Sequence, residues 1–227
     1  MKQINKYIVE RLHINKDTGN HHYNYHPKTN DELKQLVKKL INERGNDADL
    51  NDINTSEITD MSALFYYSIF NGDISNWDVS NVKDMSNMFE DSKFNGDISN
   101  WDVSNVKNMN SMFWGSSFNG DISNWNVSNV QYMCVMFYKS KFNGDISNWD
   151  VSNVEDMYMM FADSKFTGEN GDISNWDVSN VKTMNYMFRF SEFNGDISKW
   201  DVSNVKDMFA MFEGTSLEKN PPKWYKN

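Results

Sequence analysis

The sequence contains little cysteine, proline or histidine and no long apolar stretch. Of its 227 residues, one is cysteine, three are proline and four are histidine. The single thiol, Cys134, excludes an internal disulfide framework and fits a reducing compartment, in which cysteines stay reduced. No segment approaches the roughly 18 consecutive apolar residues of a membrane-spanning helix, so insertion into a membrane is not expected.

Positive charge is also scarce, since 22 lysines and arginines oppose 32 aspartates and glutamates and give a formal charge of −10. A surface of that sign disfavours binding to a phosphate backbone, so nucleic acid is not an expected partner. The first residues, MKQINKYIVERLHIN, interrupt their apolar side chains with charges and amides, unlike a signal peptide. These features together predict a cytoplasmic location.

What the sequence has in abundance is a repeat. The stretch FNGDISNWDVSNV recurs almost unchanged, beginning at Phe70, Phe94, Phe118, Phe142 and Phe193. Methionines and tryptophans follow the same step of 24 residues, apart from one step of 27 between Met157 and Met184, where three residues are inserted near Phe166. The frame extends from about Asp49 to the C-terminus. A fixed period of this length is typical of a solenoid, in which each unit buries its apolar face against its neighbours.

Two groups of apolar positions occur within each unit. The pattern I-x-x-W-x-V of Ile74–Val79 ends in the alternation of a strand with one face inward. The pattern V-x-x-M-x-x-M-F of Val82–Phe89 has the spacing of one face of a short helix, with Ser80 and Asn81 as its capping residues. The Asn-Gly pair at Gly96 predicts a tight turn with positive φ. The tryptophans and methionines are therefore interpreted as core residues.

These patterns predict an α/β solenoid, a leucine-rich-repeat-like right-handed coil with one parallel β-sheet and short helices. Its six strands are expected at Ile74–Val79, Ile98–Val103, Ile122–Val127, Ile146–Val151, Ile173–Val178 and Ile197–Val202. The motif I-x-x-W-D-V-S-N-V-x-x-M-x-x-M-F-x-x-S-x-F-N-G-D resembles the repeat of BspA-like leucine-rich-repeat bacterial surface proteins, also found in mycoplasma lipoproteins, from about Asp49 to Trp224. The resemblance implies a curved parallel-β solenoid at the cell surface that acts in adhesion or binding without catalysis.

Both ends of the array are expected to be capped, because a solenoid otherwise exposes apolar surface there. Residues 1–48 are assigned to an N-terminal cap, with a possible β-hairpin and then a helix at about 30–44. That helix is expected to start at a capping box of Thr29 and Glu32 and to end at Gly45 in the αL conformation. Residues 49–227 form the repeat array, in which Pro221 and Pro222 of the last half-unit block further pairing.

Two metal-binding hypotheses follow from the polar residues. His21, His22 and His26 form the one imidazole cluster, but Pro27 disfavours the helix that would bring two of them together, so polar loop histidines are the default. The aspartates that follow the tryptophans would form an outward-facing column of Asp78, Asp102, Asp150, Asp177 and Asp201. This column could bind calcium, which prefers carboxylate oxygens, or be a solvated stripe. Asn126 interrupts it without breaking the repeat, which favours the stripe.

The units differ mainly in the segment around the methionines, where large side chains occupy positions that the repeat leaves free. We term these side chains the aromatic band: Tyr66, Trp114, Tyr138, Tyr158, Tyr186, Arg189 and Phe190. Exposed aromatic and arginine side chains are typical of interface cores, and packing between neighbouring units is the alternative. The sequence therefore predicts a non-catalytic protein–protein interaction or adhesion scaffold without a cofactor. A calcium-binding repeat protein and a purely structural role are the alternatives.

Overall fold

The computed structural model describes residues 23–226, and the one α-helix among them, α1, spans Asn30–Arg44. It begins at Thr29, whose Oγ1 accepts a hydrogen bond of 3.2 Å from the Glu32 N–H. The Glu32 carboxylate accepts in turn from the Lys28 N–H at 2.8 Å, one residue earlier than a capping box requires. The helix ends at Gly45 with φ +95° and ψ 174°, a positive φ outside the αL region. The hairpin expected before the helix lies mostly outside the described residues.

Helix α1 packs on the first unit of the array, which starts three residues earlier than expected and spans residues 46–69, since the Asn46 and Ala48 carbonyls already accept from the backbone of the next unit. Its buried face consists of Leu33, Val37 and Leu40, which join the same apolar core as the repeat units. The Asn30 side-chain amide donates to the carbonyls of Asp60 and Ser62 at 2.9 and 3.3 Å. In later units the equivalent carbonyls accept from the backbone of the preceding unit, so in the first unit the Asn30 side chain takes the place of those backbone donors.

Successive units are joined by backbone hydrogen bonds with a fixed register. Alternate residues donate to the unit that follows, as in Met85 to Asn108, Asn87 to Asn110, Phe89 to Met112 and Asp91 to Trp114, at 2.7–3.0 Å. Isolated parallel bridges follow one column along the array, through Asp60, Asp84, Asn108, Tyr132, Asp156, Thr183 and Asp207. Met157 donates to Thr183 across the longer step, so the inserted residues leave the register intact, as the sequence predicts.

This ladder does not lie where the strands were expected. Among residues 23–226 there is no strand longer than an isolated bridge, so the prediction of strands at Ile74–Val79 and its five equivalents is wrong. The Trp77 N–H donates to the Ile74 carbonyl at 3.2 Å, which closes a turn. Both side chains are buried, and a three-residue spacing can point two side chains inward only if the backbone turns between them. The ladder runs through the Met-x-x-Met-Phe segment instead.

The predicted short helices are replaced by consecutive turns in that same segment. Hydrogen bonds from residue i+3 to residue i close three overlapping turns in the first unit, from Leu64 to Met61, Tyr66 to Ala63 and Ser68 to Phe65. Ala63 and Tyr67 both have φ +53°, at the third position of a turn, where type II turns require positive φ. The prediction for the Asn-Gly pair is also wrong, since Gly96 is not among the positive-φ glycines. A Cβ there would lie 2.8 Å from the Phe94 ring, so close packing explains this glycine.

The positive-φ positions carry ordinary side chains, and the most strained of these is expected at Val135. Its φ is +61°, and a β-branched residue is an outlier in this region. Asn87 occupies the equivalent position two periods earlier in the array and has φ +59°. Asparagine tolerates this conformation. We expect Val135→Asn to raise the free energy of unfolding by about 1 kcal/mol, as measured by urea denaturation. The reciprocal Asn87→Val should lower it by a similar amount, and a loss of stability in Val135→Asn would contradict the assignment.

Apolar side chains stack in columns inside the array. The column of Phe65, Phe89, Phe113, Phe137, Phe161, Phe188 and Phe212 has ring centroids 5.5–6.1 Å apart and rings within 7° of parallel. Each repeat tryptophan is buried and donates from its indole nitrogen to a backbone carbonyl of the preceding unit. The acceptor is Leu50 for Trp77 and the repeat isoleucine for the others, as from Trp125 to Ile98 at 3.1 Å. The assignment of the repeat tryptophans to the core is confirmed, and Trp224 follows the same pattern with Ile197.

Candidate functional site

The invariant polar residues are engaged within the repeat itself. The aspartates after the tryptophans accept a hydrogen bond of 3.0–3.1 Å from the backbone N–H two residues later, as Asp102 does from Ser104. The hydroxyl and the N–H of Ser104 hold the pKa of Asp102 below its ordinary value. Asn126 accepts from both the N–H and the hydroxyl of Ser128, at 3.1 and 2.7 Å. Asp102 and Asn126 therefore have the hydrogen-bonding side-chain oxygen in common, and not the charge.

Two columns of asparagine connect neighbouring units. The Asn105 side chain donates to the Ser80 carbonyl at 2.7 Å, and the same bond recurs along the array. The predicted helix cap at this position is therefore wrong, because the amide reaches the preceding unit. The Asn95 side chain accepts at 2.7 Å from the backbone N–H of Asn119. The fold thus accounts for the invariant asparagines and aspartates without a ligand.

The equivalence of Asp102 and Asn126 leads to a paired prediction. We expect Asp102→Asn to change the free energy of unfolding by less than about 0.5 kcal/mol, because asparagine can make the same bonds and removes a like charge from the column. Asp102→Ala should cost about 1 kcal/mol, since the Ser104 donors lose their acceptor. Thermal and urea melts of both variants test this. A loss above about 1.5 kcal/mol in Asp102→Asn would mean that the charge itself is needed, as for a bound cation.

The other chemically active side chains do not form a site in the described part of the chain. Within residues 23–226, no three carboxylate, imidazole or thiol groups converge closely enough to hold a metal ion. His21 and His22 lie outside the described residues, and the Nδ1 atom of His26 contacts the Asn54 amide at 3.3 Å. Burial, together with the nearby Asp156 carboxylate, raises the pKa of the Cys134 thiol to about 12. A thiol that stays protonated at neutral pH is a poor nucleophile.

The aromatic band lies in the turns that carry the ladder, and the structure divides it into three patches. Trp114 and Tyr138 occupy one position of adjacent units and pack edge to face, with ring centroids 5.3 Å apart. Tyr66 is separated from them by the unit that carries Glu90 at the same position. Glu90 is buried, which raises its pKa, and its carboxylate is hydrogen bonded to the Asn87 amide. The band is therefore discontinuous between the first unit and the third.

The largest patch surrounds Arg189 near the C-terminal end of the array. Its guanidinium lies 5.3 Å from the Tyr186 ring centroid and 4.6 Å from that of Phe190, distances at which cation–π attraction acts. Its Nε atom donates to the Glu213 carboxylate at 2.6 Å. Tyr158 extends the patch, with its ring centroid 6.2 Å from that of Tyr186 in an edge-to-face arrangement. The sequence-predicted residues of this region are thus brought into contact with one another.

Exposure distinguishes the members of the band. Tyr66 is 48% exposed and Phe190 is 49% exposed, although neither position needs an aromatic residue in the other units. Trp114, Tyr138 and the remaining members are half-buried, because they pack against neighbouring units. The members of the band therefore pack against neighbouring units and remain partly exposed.

Sequence reasoning missed one exposed residue of this surface. Ile69 is 65% exposed, and Tyr67 beside it is 63% exposed. A hydrogen bond to Asp91 raises the pKa of Tyr67 to about 12. The signal for Ile69 was an apolar residue at a position that holds Lys, Ser or Glu in every later unit. This comparison between units identifies it without any homologous sequence.

Comparisons with known proteins place the repeat array in a family. A family model described as "Mycoplasma protein of unknown function, DUF285" matches the chain twice, over residues 32–141 and 115–225. No curated protein and no solved structure matches the chain. Within the described residues, no helix combines the length and the apolar composition of a membrane span.

Proposed function

The chain belongs to the DUF285 family of Mycoplasma proteins of unknown function, and we propose that it is a scaffold that binds a protein partner through the aromatic band. We also propose that its units form a leucine-rich-repeat-like solenoid of the kind found in BspA-like proteins. The parallel register of the bridges between units supports this proposal. A stack of units displays one column of side chains for each variable position, which suits a binding surface.

The observation that carries the functional proposal is the exposure of Tyr66 and Phe190 at positions where the fold requires no aromatic ring. The invariant residues are explained by hydrogen bonds and packing within the array, whereas these side chains are not. The fold even accommodates Phe190, since a Cβ at Gly214 would lie 2.1 Å from its ring. Aromatic side chains with Arg189 beside them have the composition of an interface core.

Calcium binding, the absence of catalysis and the location of the protein remain predictions. Calcium binding by Asp78 and its equivalents is less favoured, since each carboxylate already accepts from its own turn. The absence of catalysis and of a cofactor stays a prediction of the sequence. The two expected locations, the cytoplasm from composition and the cell surface from the resemblance, also stay predictions.

Single substitutions in the band test the proposal. The tagged chain and its Tyr66→Ala and Phe190→Ala variants are used in parallel to capture proteins from native cells, followed by quantitative mass spectrometry. We expect a partner that the unaltered chain retains and that at least one variant binds more weakly by about 1 kcal/mol or more, roughly fivefold in Kd. Trp114→Ala and Tyr138→Ala should weaken binding similarly, with a small loss of thermal stability because these two rings also pack on each other.

The control variant is Lys206→Ala, which changes an exposed residue away from the band. It should retain the partner at the level of the unaltered chain. Equal capture by all the variants, or a loss of capture that tracks loss of folding in thermal melts, would contradict the role of the band and leave inter-unit packing as its function.

A further inference from the structure

A groove of about 650 Å³ lies between helix α1 and the first unit. Its apolar lining includes Val37 and Ile41 of α1 together with Leu64 and Ile69 of the first unit, and Tyr66 of the aromatic band forms part of its wall. Lys34 and Lys38 line it from the helix side. Asn42, Asn46 and Ser68 complete the lining, so the groove combines apolar side chains with polar ones and carries two ammonium groups on the helix side.

The first unit differs from every later unit at Ile69, one of the apolar residues that line this groove. The positions equivalent to Ile69 are Lys93, Ser117, Lys141, Lys165, Glu192 and Ser216. Because Ile69 is 65% exposed, its hydrophobic surface contributes little to the stability of the isolated chain. It does add apolar surface to the groove. Tyr66 and Tyr67, whose ring centroids are 4.4 Å apart, extend the apolar surface beside it. An exposed apolar patch of this kind is typical of an interaction site.

Charge indicates what the groove accepts. Lys34 and Lys38 are one helical turn apart, and like charges at this spacing destabilise a helix. Neither ammonium group forms an ion pair with any described residue, in a chain whose formal charge is −10. Lys93, exposed and also without an ion pair among the described residues, follows Ile69 at the same position of the next unit. The groove is thus a basic region on an acidic protein, and it complements carboxylates.

The length of the groove limits the size of its occupant. From Lys34 to Ile41 the helix rises about 10 Å, which an extended chain spans with three or four residues. Asn42 lines the groove beyond Ile41 and offers an amide to the backbone of an occupant. The occupant therefore has one or two apolar anchors near Ile41 and Ile69, and its acidic residues lie toward Lys34 and Lys38.

We propose that this groove binds a short segment of a protein partner in which two apolar side chains adjoin a pair of carboxylates. The proposal rests on the function proposed above, since the groove includes Tyr66, the first member of the aromatic band. It adds the chemistry of the partner and the role of α1, which both caps the array and forms one wall of the binding site.

Peptide binding to the full chain tests the proposal. The probe is a fluorescein-labelled dodecapeptide with a Leu-Phe pair followed by Glu-Asp, compared with a peptide in which both acids are replaced by lysine. We expect saturable binding of the acidic peptide in fluorescence anisotropy and at least about tenfold weaker binding of the basic one. The variant K34E/K38E should weaken acidic-peptide binding by about tenfold or more, and Ile69→Lys by a similar factor.

The matched control is K107E/K206E, which makes the same charge change at exposed positions away from the groove. It should bind the acidic peptide like the unaltered chain, and thermal melts should show that all variants fold. Absence of saturable binding to the unaltered chain, or equal loss in the control and groove variants, would overturn the proposal.

Two further measurements identify other occupants. Co-sedimentation with phosphatidylcholine vesicles containing phosphatidylserine, lost in K34E/K38E while the peptide is not bound, would overturn the proposal in favour of an anionic membrane. A dimer in light scattering that Ile69→Lys dissociates would assign the groove to a second copy of the chain. If the captured partner depends on Phe190 but not on Lys34, Lys38 or Ile69, the groove proposal fails and the function of the band stands.

Discussion

Replacing Trp125 with alanine is expected to lower the free energy of unfolding by about 3–5 kcal/mol, the range observed for large buried aromatic residues. Trp125 is 3% exposed and lies in the middle of the array. Its ring centroid is 6.3 Å from that of Phe113, and its indole nitrogen donates to the Ile98 carbonyl at 3.1 Å. The substitution removes both contacts and leaves a cavity between two units, each of which depends on its neighbour for burial.

The last half-unit supplies the control for this prediction. Trp224 occupies the equivalent position and makes the same bond to the Ile197 carbonyl at 2.9 Å, but it is only half-buried. Trp224→Ala should therefore cost clearly less, about 1–2 kcal/mol. Urea denaturation followed by far-ultraviolet circular dichroism measures both variants. Equal losses at the two positions would show that burial between units does not determine the contribution of the tryptophan.

The Trp125→Phe variant measures the contribution of the indole hydrogen bond to stability separately from that of the buried ring. Phenylalanine keeps much of the apolar volume but has no donor for the Ile98 carbonyl. That carbonyl also accepts from the Trp101 N–H at 3.2 Å, so it is not left unpaired. We therefore expect this variant to retain more than half of the stability that Trp125→Ala loses, because burial outweighs the single hydrogen bond.

The core of the array could be predicted from the sequence because buried apolar residues recur with a fixed period. The repeat tryptophans and the methionines of the Met-x-x-Met-Phe segment recur at fixed intervals, and those of the complete inner units are buried. The register across the inserted residues was equally predictable, since the apolar positions resume in step after Gly171. Side-chain period reports which residues face inward, and it does so whatever the backbone conformation is.

The backbone conformation was predicted less well, since several conformations share one apolar spacing. The spacing of Met85, Met88 and Phe89 fits a helix, but the structure reaches it with turns and alternating positive φ. A signal for this was present at the positive-φ positions. Asn87, Gly115 and Gly214 belong to the residue types that adopt this conformation at low cost, and a short helix would not select them. Comparing the same position across units would have indicated the turns.

The candidate site was predictable to the extent that it departs from the repeat. Aromatic residues at variable positions identified Tyr66 and Phe190, which the structure leaves about half exposed. The groove was not predictable, because it depends on how α1 lies against the first unit. The sequence gives the apolar face of the helix, but the position of Lys34 relative to Ile69 requires the tertiary packing of two elements. Contacts between elements leave no periodic pattern in either of them.

Replacing Gly72 with alanine is the second substitution expected to have a large effect. A Cβ on Gly72 would lie 2.0 Å from the carbonyl oxygen of Ala48, a backbone atom that cannot rotate away. The same carbonyl also helps to join the first two units, since it accepts a hydrogen bond from the Asp73 N–H at 3.0 Å. Relief of the collision must separate these units or shift α1, so we expect a loss of about 3 kcal/mol or more, at or above the upper end for overpacked sites.

Gly120→Ala is the matched comparison at the same position of a central unit. There the nearest atoms to an added Cβ belong to the Phe118 ring at 2.8 Å, and the closest backbone atom, the Gly96 carbonyl oxygen, is 3.7 Å away. A ring can adjust by a small rotation, so the cost should stay within about 1–3 kcal/mol. Ala48 itself is tolerated at the equivalent position of the first unit because Asn46 stands there in place of the phenylalanine. Urea denaturation of both glycine variants should therefore rank Gly72→Ala as the more damaging, and the reverse order would show that the aromatic ring, not the backbone of the preceding unit, sets the need for glycine.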